Sequence, residues 1–67
     1  LITPQDFIKD RLAAYFYWGD RQGLEQAVWV AKDQMGEYSL DEIRQWAERE
    51  GESEKFENFL DLLGRGL

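Results

Sequence analysis

The chain contains no cysteine and no histidine. Disulfide staples are therefore excluded, and so are the usual zinc sites, which draw on those two side chains. The same absence removes Ser-His-Asp and Cys-His nucleophile schemes. Neither a glycine-rich phosphate loop nor a D-x-[DN]-x-[DN]-G calcium loop occurs. No apolar run approaches the roughly 20 residues that a membrane-spanning helix needs, and no basic start leading into an apolar stretch marks a signal peptide. Cations are scarce: 8 Lys and Arg stand against 14 Asp and Glu, a formal net charge of −6. Binding to a phosphate backbone requires a basic face, so neither nucleic acid nor an anionic membrane is an expected partner. The lack of cysteine fits a reducing cytoplasm, the expected location.

What remains must hold a chain of 67 residues together. A domain of this size removes only about 60% of its unfolded surface from water. Without disulfides or metal, it needs dense aromatic packing or a partner surface. Four Phe, three Tyr and three Trp supply the first. The sequence opens on Leu1 and passes almost at once into helix signals. Residues 1–67 are therefore read as a single helical domain, expected to be the C-terminal fragment of a longer protein.

Four helices can be read from their start and stop signals. In the first, Thr3 is placed to cap, Pro4 suits the first helical position and Asp6 favours the positive end. Phe7, Ile8, Leu12, Tyr15 and Phe16 follow helical spacing up to Gly19-Asp20. The second is expected from residue 20 or 21 to residue 34 or 35. Leu24, Ala27, Val28, Ala31 and Met35 form its stripe, and Gly36 its stop. Ser39-Leu40-Asp41-Glu42 reads as a capping box, in which the glutamate reaches back to the serine amide. Leu40, Ile43, Trp46 and Ala47 mark the third helix, which Gly51 ends. Ser53 is expected to cap a fourth that carries Phe56, Phe59, Leu60 and Leu63 before Gly64. No segment alternates like a strand. The fold class is all-α, a small bundle of four short helices, orthogonal or up-down.

The run Tyr15-Phe16-Tyr17-Trp18 is the most unusual feature. Successive residues of a helix point roughly 100° apart, so these four side chains cannot all enter one core. Tyr15, Tyr17, Trp18 and the flanking Trp29 are therefore the candidate interaction surface. Arg11 is the candidate anion contact, since a forked guanidinium suits phosphate or carboxylate. The acids Glu48, Glu50, Glu52, Glu54 and Glu57 read as a solvated face, without a metal site. Residues 39–63 have the size of a helix-turn-helix. The candidate recognition helix, however, has Lys55 beside Glu54, Glu57 and Asp61, which phosphates would repel.

Two stretches, Asp10-Arg11-Leu12-Ala13-Ala14-Tyr15 and Trp18-Gly19-Asp20-Arg21-Gln22-Gly23-Leu24-Glu25-Gln26-Ala27, carry a family resemblance. Together with Leu40 to Trp46 and Glu50-Gly51, they resemble the helical C-terminal region of uncharacterised bacterial nucleotidyltransferase-like proteins. There, a P-T-D-x-V-K-D-R-L-A-A-Y helix precedes a W-N-D-R-Q-x-L-E-Q-A helix. More distantly, the helices look similar to those of abortive-infection and toxin-type nucleotidyltransferases. The resemblance implies an N-terminal α/β catalytic domain as the partner, with Mg and NTP belonging to the parent protein and no cofactor in this chain. A K-L-x-A motif of the distant group places its lysine at Arg11, which would edge the nucleotide site. A second motif, R-D-L-x-D, falls near residues 22–26, where most of its charged residues are missing.

The leading expectation is thus a non-catalytic accessory domain of a nucleotidyltransferase-like protein. The alternative is a stand-alone interaction module or homodimer, and a helix-turn-helix DNA binder comes third. No catalytic residue is assigned.

Overall fold

The computed structural model describes residues 3–65. In order, the helices are α1 (Pro4–Trp18), α2 (Arg21–Asp33), α3 (Leu40–Arg49) and α4 (Ser53–Arg65). They form a compact all-α bundle, and no strand occurs among the described residues.

Each connection has a local cause. The Thr3 hydroxyl accepts the Asp6 amide at 3.1 Å, and Pro4 fills the first turn, where a missing N–H costs nothing. Gly19, with φ 67°, turns the chain out of α1 in a left-handed conformation that strains a side-chain-bearing residue. Its amide and that of Asp20 then close on the Tyr15 and Ala14 carbonyls. Asp20 in turn caps α2, its carboxylate accepting the Gln22 amide at 3.0 Å. Two helices are thus joined by two residues, one the stop and the other the start.

The α1–α2 pair is a close antiparallel hairpin. A Cβ built on Gly23 would stand 2.8 Å from the Arg11 carbonyl oxygen and 3.4 Å from the Ala14 Cβ. Gly23, Ala27 and Ala31 recur every four residues and are all buried, so one face of α2 offers little more than backbone to α1.

Side chains link α1 to α3 along their whole length, and the two run in the same direction. Gln5 meets the start of α3 through Ser39 and Glu42. Lys9 lies over the Trp46 ring, Phe16 stacks on Trp46 at 5.5 Å, and Tyr17 meets Glu50 at the far end. Helix α4 lies across the end of this layer, with Asn58 bonded to Tyr15. Its Lys55 ammonium donates to the Phe16 carbonyl at 2.7 Å. That carbonyl belongs to the last turn of α1, so a neighbouring helix supplies the positive charge that a helix C-terminus favours.

The core is made of Ile8, Leu12, Phe16, Leu24, Val28, Ile43, Phe56 and Phe59, with the alanines Ala27, Ala31 and Ala47 between them. Tyr15, Tyr38, Trp46 and Leu60 pack around it. Among the described residues, no buried side-chain polar atom lacks a partner.

Four local expectations change. Met35 leaves the buried stripe and is 73% exposed, because α2 ends at Asp33 and residues 34–36 are a turn without helical period. Only half of the capping box forms. Ser39 accepts the Glu42 amide at 3.2 Å, but its own amide donates to Gln5 Oε1 at 2.9 Å, and Glu42 accepts from the Gln5 side-chain amide instead. Ser53 is the first residue of α4 rather than its cap, the preceding Glu52 offering its carbonyl to the Phe56 amide. Gly64 does not stop α4, which continues to Arg65.

Candidate functional site

The buried seam of α1 is Ile8, Leu12 and Phe16, spaced four apart, and this register decides where the aromatic run points. Phe16 enters the core and stacks on Trp46. Tyr15 lies at the edge, half-buried, its hydroxyl accepting from Asn58 Nδ2 at 3.0 Å and its ring 5.9 Å below the Lys55 ammonium. Tyr17 and Trp18 turn outward, 51% and 84% exposed. The Tyr17 hydroxyl donates to a carboxylate oxygen of Glu50 at the end of α3. Trp18 therefore stands at a corner where the ends of α1 and α3 meet the start of α2.

Trp29 stands on the outer flank of α2, 74% exposed, opposite Ala27, Val28 and Ala31. It separates two shallow hollows, one bounded by Gln22, Glu25 and Gln26 and the other by Val30, Lys32 and Asp33. Neither tryptophan belongs to any of the ring pairs of the bundle, and Trp18 lines neither of the two hollows beside Trp29.

Arg11 lies on the α1 side of the same flank. Its guanidinium pairs with Asp10, reaches Gln26 Oε1 at 3.4 Å and lies 5.9 Å from the Phe7 ring centre. The side chain is about one-third exposed and that of Asp10 more so. A pair this wet contributes on the order of 0–1 kcal/mol and yields readily to a stronger anion.

Of the residues expected at a contact surface, the structure sets Tyr17 and Trp18 together at the corner, Trp29 alone on the flank, and Tyr15 against the core. Arg11 is joined to the Trp29 flank through Gln26. Two further residues belong to these surfaces. Glu50 completes the corner, a contact across 33 residues that no local pattern announces. Met35 adds exposed apolar surface just beyond α2.

The remaining chemistry is structural. Tyr38 donates its hydroxyl to the Ala31 carbonyl at 2.8 Å, and burial pushes its phenol above the usual value of 10.0. No group of three or more His, Cys, Asp or Glu converges on a common point among the described residues. No helix among them is long and apolar enough to cross a membrane. None of the protein-family models, curated proteins or solved structures compared with this chain matches it.

Proposed function

We propose that the chain is a non-catalytic helical docking domain whose exposed tryptophans anchor a partner protein. The observation that carries this reading is the 84% exposure of Trp18, with Trp29 at 74%, in a chain that buries every other large ring at least in part save Tyr17. An aromatic side chain of this kind can bury about 200 Å². At about 25 cal/mol per Å², that is roughly 5 kcal/mol of burial left unused, before the costs of association. The stability of a domain this small is itself on the order of 3–10 kcal/mol. Tryptophan is also the residue most over-represented among the few contacts that dominate binding energy at interfaces.

The resemblance supplies one identity for the partner: an N-terminal nucleotidyltransferase-type domain of the same parent chain, using Mg and NTP. In that form of the reading, α1 and α2 pack on the catalytic domain and Arg11 edges its nucleotide site. Support comes from the partly exposed guanidinium of Arg11, whose ion pair with Asp10 lies at the surface. A homodimer would draw on the same tryptophans.

Hydroxyl-radical footprinting tests the docking reading. Trp18 and Trp29 should be oxidised readily in the isolated 67-residue chain. In the species purified under native conditions from its own cells, at least one should be strongly protected. Equal oxidation of both in the two samples overturns the reading. The intact mass of the native species decides the form: a mass well above 7.9 kDa with added sequence before Leu1 favours the accessory domain, and one near 7.9 kDa a separate partner.

A further inference from the structure

We infer that the corner formed by Tyr17, Trp18 and Glu50 takes a lysine- or arginine-bearing segment of the partner protein. This rests on the docking reading above and names the chemistry of what docks. Three observations converge on it.

The first is the rings themselves. An exposed indole face attracts an ammonium or guanidinium through its negative quadrupole, and tryptophan does so best among the aromatics. Tyr17 and Trp18 are adjacent at the end of α1, and Glu50 accepts from the Tyr17 hydroxyl, which brings a carboxylate to the helix end that carries both exposed rings. A carboxylate has about four lone-pair directions and Tyr17 uses one, so Glu50 retains acceptor capacity for an incoming cation.

The second is the charge around them. Asp20 follows Trp18 by two residues, and Glu48, Glu50, Glu52 and Glu54 frame the turn from α3 to α4. Of the cations in that turn, Lys55 is directed inward, onto the Phe16 carbonyl at 2.7 Å and toward Glu52 at 4.0 Å. Arg49 is exposed there, and Arg21, next to Asp20, borders a hollow with Tyr15, Asn58 and Asp61. The acids outnumber the cations that face water at this corner.

The third is the contrast with Trp29. Glu25 and Asp33 stand beside it, but so do Lys32 and the neutral Gln22 and Gln26. The surplus of carboxylates is therefore larger at the Trp18 corner, which also carries two exposed rings where the flank carries one. That pairing of an apolar face with negative charge complements a basic segment and repels an acidic one or a phosphate backbone.

The test titrates the isotope-labelled chain with two end-blocked octapeptides, one alternating Lys and Gly and the other alternating Glu and Gly. The Trp18 indole N–H resonance should move with the lysine peptide, while those of Trp29 and Trp46 stay in place. Trp18→Ala and Glu50→Gln should each weaken binding by about two- to fivefold, the range for an exposed cation–ring contact. Trp29→Ala should leave it unchanged. Salt at about 1 M, where the screening length is about 3 Å, should abolish it. Both altered side chains are exposed, and circular dichroism confirms that the variants stay folded. The inference is overturned if the glutamate peptide moves the same resonance, if the lysine peptide moves none, or if shifts spread over the acidic surface and survive Trp18→Ala. A footprint that protects Trp18 in the native species without a response to the lysine peptide would keep the docking reading and remove the basic partner.

Discussion

The two helical hairpins of this bundle are held by opposite means. In α1–α2 the backbones nearly touch, because Gly23, Ala27 and Ala31 put almost nothing between them. In the other half the weight falls on rings: α4 buries Phe56 and Phe59, 5.6 Å apart, and Trp46 of α3 stacks on Phe16 of α1. The close pair gains its energy from many short contacts and tolerates no added atom. The ring-filled pair gains it from buried area and tolerates no removed one. A chain with no disulfide to fall back on uses both, and this sets different vulnerabilities in its two halves.

Substitutions can break or sharpen that contrast. Phe59→Ala should have the largest effect, about 3–5 kcal/mol, since Phe59 is fully buried and its loss opens a cavity. That is a large share of the roughly 3–10 kcal/mol expected for the domain. Urea unfolding followed by circular dichroism should show the midpoint falling further than for any other substitution named here. Gly23→Ala comes next, at about 1–3 kcal/mol, because its methyl would meet a carbonyl oxygen of the facing backbone. Gly64→Ala is its control: a Cβ there meets nothing within 4 Å, so the change should be neutral or stabilise by about 0.5–1 kcal/mol. Equal costs at the two glycines would refute the close-approach account of α1–α2.

A third substitution cuts the link between the hairpins. Gln5→Ala frees the Ser39 amide and should cost about 1–2 kcal/mol, whereas Glu42→Ala, which removes only an exposed acceptor, should cost less. A reversed order would mean that Glu42 returns to its own helix as a capping box. The smallest effect belongs to Tyr38. Burial raises its phenol in the folded chain above the unfolded value of about 10. Its contribution is complete below pH 10 and is lost as pH rises through the folded value, because the unfolded chain gives up that proton first. Tyr38→Phe should therefore cost about 0.5–1 kcal/mol at neutral pH and flatten the alkaline fall in the melting temperature.

The starts of α1, α2 and α3 and the end of α1 were legible because their causes are local. Thr3, Gly19, Asp20 and Ser39 act on atoms within six residues of themselves. The spacing of Ile8, Leu12 and Phe16 likewise made it legible that the aromatic run could not be buried whole. Met35 shows the limit of periodicity, which holds only while the helix does. Gln5 and Lys55 show a different limit. Their partners lie 34 and 39 residues away in sequence, and only the crossing of helices brings them within reach. Glu50 stayed in the background for the same reason: the pattern marked it as one acid among many, and its place against Tyr17 follows from α1 and α3 running side by side.

The Lys55 ammonium on the Phe16 carbonyl has a consequence for motion. Helix ends ordinarily fray, and their amides exchange with solvent through small local openings. Here the last turn of α1 is tied to α4, so opening it must also break the Lys55 contact. Hydrogen exchange in this turn should be slower than at an untied helix end, so Trp18 is carried on a steadied helix end although it is the most exposed large apolar side chain among the described residues.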